Sequence, residues 1–346
     1  MYNKNTVQFA AAIEATEGTD PMTTPTGNEI VKISEGDLVI SQDTFEDDGQ
    51  SRFPRTWKRI PGRKRFSASG VIELAALTVS GSSSRPRGYQ FLEAAGFSWT
   101  YAAGPPKTLT AKFVPSNVQS MTLRRYLQHM NSGGETASNW LDKILGAKAK
   151  VQLQIRNGVW VFPFELMARD GSRANGASML TDGPCVDTQG EYRAPLRFGQ
   201  TTFTLTDEDG ANVASGLVGA FDLDFGIELV PEYGSNGADK PTRMDRVHGP
   251  TKGNLRLLAA NRGVSDPLGV LQAGKCYSLS MSAVDDADPN LTVTAACILS
   301  PETINQSDES GKIYWDIPFQ AAAPSDGTAV GRTPASPFSI TWSNAN

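Results

Sequence analysis

The sequence predicts an all-β protein built as two tandem β-sandwich or barrel domains, each with a short helix and a long projecting β-hairpin arm. Three observations carry that prediction. Short alternating runs of strand-favouring residues, such as Lys150-Val151-Gln152-Leu153-Gln154-Ile155-Arg156, recur along the chain between turn residues. Glycine and proline number 33 and 21 among 346 residues, which suits many strands joined by tight turns better than it suits helices. A segment also occurs twice. Leu38-Val39-Ile40 opens a strand, a polar excursion follows, and Gly70-Val71-Ile72-Glu73-Leu74 returns. Phe221-Asp222-Leu223 and Gly253-Asn254-Leu255-Arg256-Leu257 do the same. The offset is 183 at both ends (221 − 38 and 253 − 70), with no gap, as a duplicated fold requires.

The elements follow in order. Residues 1–30 read as an N-terminal arm, apolar over Phe9 to Ala15 and broken by Gly18-Thr19-Asp20-Pro21 and Thr24-Pro25-Thr26-Gly27. The first β domain spans 31–190. Its charged excursion opens acidic and turns basic, with aromatic residues interleaved. Val71 to Val79 reads as a buried strand, and Phe91 to Gly96 as a short helix stopped by glycine. Met121 to Leu127 fits strand or helix. Asn157-Gly158 is the strongest hairpin signal, because both residues tolerate positive φ. The Gly-, Ser- and Asp-rich stretch 171–195 reads as a linker. The second domain, 196–346, repeats the plan. Asp266 to Gly274 mirrors the short helix, and Ile313 to Phe319 mirrors Val159 to Phe164.

Composition excludes several classes. The chain is 39% hydrophobic and 20% charged, as a folded globular protein is. Its net charge of −5 argues against a grip on nucleic acid, which needs clustered Lys and Arg. The apolar runs are too short to span a bilayer, and the N-terminus shows no signal-peptide pattern, so no membrane partner is expected. Cys185, Cys276 and Cys297 are odd in number and without paired histidines, so they form neither a disulfide framework nor a zinc site. A Cys276–Cys297 bridge remains open beside the reading of buried thiols. With only His129 and His248, a histidine triad or metal centre has little to work with, and no phosphate-cradling motif occurs. No catalytic residue, metal or cofactor is expected. Asp285, Asp286 and Asp288 lack the glycine and distal glutamate of a calcium loop and read as a turn.

Four stretches, taken together, resemble the tail tube proteins of long-tailed (siphovirus-type) bacteriophages. They are Phe9 to Gly27, the first charged excursion through Phe97, Gly146-Ala147-Lys148-Ala149-Lys150-Val151 leading into the hairpin, and Phe221 to Pro231 continuing to Gly253. The chain departs from the pattern in a shortened segment between Val79 and Tyr89 and in the insertion near 171–190. The resemblance implies a tube-type β domain that assembles in six-fold rings, stacked into a hollow tube for DNA. Two copies per chain would let three chains make a ring of pseudo-six-fold symmetry. It also implies a virion location with assembly in the host cytoplasm. The implied partners are other copies of the chain, the tape-measure, tail-tip and tail-terminator proteins, and DNA passing non-specifically through the bore.

Two excursions are the expected inter-subunit arms, since an isolated two-stranded ribbon is marginal in water until a neighbour covers it. Arm 1 offers Glu46, Asp47, Arg52, Phe53, Arg55, Trp57, Lys58, Arg59, Arg63, Lys64, Arg65 and Phe66. Arm 2 offers Glu232, Tyr233, Lys240, Arg243, Arg246 and His248. Asp222, Asp224 and Glu228, at alternating positions, are candidate lumen-facing acids, where like charge repels DNA. Competing readings are a nucleic-acid patch at Arg52–Arg65, a capsid decoration or baseplate subunit, and a carbohydrate-binding module stacking sugars on Trp57, Trp99 and Trp315.

Overall fold

The computed structural model describes residues 7–25, 28–46, 59–114, 119–130, 136–176, 178–180, 195–197, 201–207, 212–234, 239–258, 276–284, 290–299, 304–309, 312–321 and 338–344. Nearly everything described is strand, and the protein is all-β. The first half contains β1 (Val7–Glu14), β2 (Ile30–Val31), β3 (Ser34–Glu46) and β4 (Arg59–Glu73). The helix α1 (Tyr89–Ala95) follows, then β5 (Phe97–Ala102), β6 (Thr108–Phe113), β7 (Ser120–Met130), β8 (Thr136–Arg156), β9 (Val159–Ala168) and β10 (Asp170–Asn175). The second half contains β11 (Thr202–Thr206), β12 (Asn212–Asp224), β13 (Ile227–Glu232), β14 (Arg243–His248) and β15 (Lys252–Leu258). It ends with β16 (Cys276–Val284), β17 (Asn290–Leu299), β18 (Asn305–Glu309), β19 (Lys312–Ala321) and β20 (Phe338–Ser343).

All pairings are antiparallel, and one order of pairing appears twice. In the first half it runs β1–β7–β8–β9–β4–β3. It closes because β2, separated from β3 only by Lys32 and Ile33, pairs back to β1 through Phe9↔Val31. In the second half it runs β11–β16–β17–β19–β15–β12 and closes through β12 on β11. The second ring leaves no free edge within itself, as barrel closure does, whereas the first closes only through the two-residue β2 and leaves the outer side of β3 unpaired among the described residues. The same close contact marks both. Gly70 pairs with Phe164 and Gly253 with Phe319. A Cβ on Gly70 would come within 3.1 Å of the Phe164 ring, and one on Gly253 within 2.4 Å of the Phe319 ring. At Gly70 the nearer obstacle is the Ile33 methyl at 2.4 Å, with the Phe164 ring behind it, and at Gly253 it is the Phe319 ring itself, so both positions need glycine. The register beyond that point differs. Leu38 pairs with Ala68, which the offset maps to Thr251, whereas Phe221 pairs with Leu255.

Several expectations change. Residues 7–14, expected within an arm, form β1. Ala10 and Ala11 are completely buried there, because their small side chains let β1 sit between β2 and β7. Met121 to Leu127 is strand. The expected linker begins as β10 on the edge of β8, held by Arg173 against Asp142, a carboxylate that Arg125 also contacts. Asn157 and Gly158 turn with φ of 50 and 74, as the hairpin signal requires. Cys276 pairs with Ile298 and Cys297 with Tyr277, so the register does not set the two cysteines opposite each other. The stretch expected as a second helix, 266–274, lies outside the described residues, as do Cys185 and the Asp285–Asp288 turn.

The helix packs against β8, β1 and β7 of the first ring. It runs between Gly88 and Gly96, both left-handed, and buries Gln90, Phe91, Leu92, Ala94 and Ala95. Phe91 packs 4.4 Å from Phe164, and the Gln90 amide donates to the carbonyls of Ala11 and Asn28. The two halves share one hydrophobic core. β6 pairs with β20, β8 pairs with β12, and Phe97 contacts Phe113, Phe225 and Phe338 at 5.3 to 5.7 Å between ring centres.

Candidate functional site: a composite sheet and two arms

The β8–β12 pairing makes a single sheet out of both halves. Its order is β3–β4–β9–β8–β12–β15–β19–β18. On its solvent face the register aligns Gln152 with Asp224 and Lys252, and Gln154 with Asp222 and Asn254. Asp37, Ser69, Glu165 and Lys150 form another row. Asp224 accepts hydrogen bonds from the Gln152 amide at 3.1 Å and from the Gly226 N–H at 2.9 Å. Partial burial, and then the neighbouring Asp224, push the Asp222 carboxyl above the ordinary range. Two of the three candidate lumen acids thus share this face. Glu228 does not, because the chain leaves the sheet at Gly226, where φ is 68 and a Cβ would strike the Gly249 carbonyl. Lys150 and Lys252 stand among the acids, so the face is mixed in sign rather than uniformly acidic.

Arm 2 is the β13–β14 ribbon, paired from Ile227↔His248 to Glu232↔Arg243. One face of it, with Ile227 and Met244 buried, lies over β8 and β9 of the same chain. Arg246 donates to the Ala94 carbonyl at the C-terminal end of α1, a position that favours a cation. Gly96 leaves room for the guanidinium, since a Cβ there would collide with it. Burial holds the Arg246 pKa below its usual value. The His248 ring meets Phe113 edge-on at 4.9 Å, and burial followed by the Arg246 charge lowers its pKa.

The arms meet within one chain. Arg63 lies 4.4 Å over the Tyr233 ring, and the Tyr233 hydroxyl donates to the Lys64 carbonyl. The Lys64 ammonium stands 2.6 Å from Asp239, and its backbone N–H donates to the Asp239 carbonyl. Lys240 pairs with Asp170 at 2.7 Å. Arg65 pairs with Asp43 across arm 1.

Arg63, Lys64, Tyr233 and Lys240 are therefore brought together, in cis. Phe66 is 4% exposed and points into the core, so it is a barrel residue and no neighbour's anchor. Arg246 and His248 are likewise spent on the chain's own first half. Glu46 pairs with Arg59 in the backbone register. Asp47, Arg52, Phe53, Arg55, Trp57 and Lys58 lie outside the described residues. Trp99 and Trp315 pack against the core, and Trp99 stands between Arg85 and Trp342, an arrangement unlike a sugar-stacking platform. His129 pairs with Ser138 in the β7–β8 register.

Sequence reasoning missed the exposed apolar residues Val39, Met167, Val230 and Val247. Their signal is the strand alternation itself, which assigns them to the solvent face once the buried neighbours are known. Among the described residues no cluster of His, Cys, Asp and Glu could hold a metal ion, and no helix is long and apolar enough to cross a membrane. Comparison with protein-family models and with curated proteins finds no match.

Proposed function

We propose that this chain is a structural subunit that polymerises into stacked rings, three chains to a ring, forming the hollow tail tube of a phage through which DNA is delivered. One observation carries the reading: the composite sheet and its two outer edges. Among the described residues the outer side of β3 and the outer side of β18 carry no strand. Inside the chain, the last residues of β8 pair with β12. β18 stands to β19 as the end of β8 stands to β9, and β3 stands to β4 as β12 stands to β15. Joining β18 of one copy to β3 of the next repeats between chains the junction already made within each. Such a head-to-tail contact closes into a ring when the rotation permits, and it removes two exposed sheet edges that would otherwise invite indiscriminate pairing.

The polar, mixed-charge face of the sheet suits a wall past which DNA moves without being held. Three chains at −5 give a ring of −15, and that net charge disfavours retention of a polyanion. Negative-stain electron microscopy of the concentrated protein tests the proposal. Hollow rods with three-fold end views are expected, with native mass spectrometry giving rings of three chains. Rings of six chains would overturn the stoichiometry, and dispersed particles in the presence of a nucleating tail tip would overturn the tube.

A further inference from the structure

Arm 1 outruns the sheet that carries it. β9 pairs with β4 from Glu73 to Phe66 and no further, whereas β3 follows β4 on to Arg59. Residues 59–65 therefore belong to a two-stranded ribbon, which is marginal in water when nothing else holds it. Among the described residues, every hydrogen bond and ion pair that this stretch makes outside its own ribbon goes to the tip of arm 2. The Lys64 N–H donates to the Asp239 carbonyl at 2.5 Å, the Lys64 ammonium stands 2.6 Å from the Asp239 carboxylate, and the Lys64 carbonyl accepts from the Tyr233 hydroxyl. Arg63 covers the Tyr233 ring.

The same tip also holds the body of the first half. Lys240, the neighbour of Asp239, pairs with Asp170 at 2.7 Å. Asp170 begins β10, and the next residue, Gly171, lies so close to the Phe66 ring that a Cβ would come within 2.6 Å of it. Phe66 is the residue at which β9 stops supporting the ribbon. Asp239 and Lys240 thus clamp the two sides of the point where arm 1 leaves the sheet. The order of their signs allows one docking only, because a reversed tip would set Asp239 against Asp170 and Lys240 against Lys64.

We propose that the tip of arm 2 is a salt-released latch that sets the direction of arm 1 within the chain. The two ends of arm 2 are held by different forces. Its root is fixed by Ile227 and Met244, which are buried, and added salt does not weaken apolar burial. Its tip is fixed by charge. The side chains of Lys64, Asp239, Lys240 and Asp170 are 39 to 49% exposed, where ions screen them. Salt therefore opens the tip and leaves the root docked, and residues 59–65 then keep β3 alone. The latch is a property of the single chain, so it stands or falls apart from the tube.

Amide exchange followed residue by residue in the dilute full chain reads the latch directly, because the Lys64 N–H is one of its bonds. Raising salt from about 0.02 M to about 0.5 M should speed exchange at Lys64 about tenfold. Val247, which pairs with Glu228 in the root, should be unaffected. Asp239→Asn combined with Lys240→Gln should give the fast Lys64 rate at low salt and remove its salt dependence. Lys64 protection indifferent to salt and to the double substitution would overturn the latch, as would equal acceleration at Val247, since the whole arm would then be undocking. Spin labels on non-natural side chains in place of Thr44, on β3, and Ile313, on β19, read the direction of arm 1. One narrow distance is expected at low salt, broadened by added salt or by the double substitution. A distance that stays narrow with the latch open would show that arm 1 holds its direction without arm 2, and would sink the proposal.

Discussion

Glu14 is 5% exposed, and its carboxylate accepts four hydrogen bonds. The donors are the N–H groups of Gly18 and Gly146 and the hydroxyls of Ser120 and Thr122, all at 2.7 to 2.8 Å. It ties the loop after β1 to β7 and to the bend in β8. Glu14→Ala leaves those donors facing a cavity and should cost about 3 kcal/mol in chemical denaturation, since bonds to a charged acceptor are among the strong ones. A change below about 1 kcal/mol would mean that water replaces the carboxylate. His248 gives a pH dependence of definite sign. Its pKa in the folded chain lies below the unfolded value of 6.5. The unfolded or undocked form therefore binds the proton more readily. The docked arm 2 keeps its full stability above that value and loses it as pH falls toward the lowered one. Amide exchange of 243–248 should accelerate relative to the β16–β17 hairpin between about pH 7 and pH 5, and His248→Gln should abolish the relative change. An unchanged ratio in the parent protein would remove His248 from the docking account.

At the scale of elements, the sequence carried the local signals and lost the distant ones. The Asn157-Gly158 turn, the alternation of β8 and the glycine-stopped helix are written in adjacent residues, and each forms as expected. β1 was unreadable as a strand because Ala10, Ala11 and Ala12 have no strand preference of their own. Their burial is decided by β2 and β7, which lie far away in the chain. β10 reads as a linker because an exposed edge strand needs no apolar residues, and its anchor, Arg173 on Asp142, joins residues 31 apart. The arms were legible as excursions, but their docking was not. Nothing near Arg246 in sequence announces the open end of α1, and nothing near Lys64 announces Asp239. Of the candidate site, alternation placed Asp222 and Asp224 correctly on one face, whereas the bend at Gly226 removed Glu228 from it.

At the scale of the whole molecule, the offset of 183 is legible in the sequence, and the core that joins the two halves is not. The Phe97 cluster takes rings from both halves, with Phe225 and Phe338 stacked at 4.6 Å. Phe97→Ala should therefore cost about 3–5 kcal/mol and lower the stability of both halves together. Calorimetry should show one transition in the parent protein. Two separate transitions, with only one moved by the substitution, would mean that the halves unfold as independent units.

The β8–β12 seam has a kinetic meaning for any ring the chain builds. A strand pair within one chain forms at an effective concentration set by its tether, so dilution does not loosen it. In the proposed ring only the β18-to-β3 seams would answer to mass action. Half of the joints in a three-chain ring are thus closed before two molecules ever meet. When such a ring comes apart it must do so at alternate joints, releasing intact pairs of barrels and never single ones.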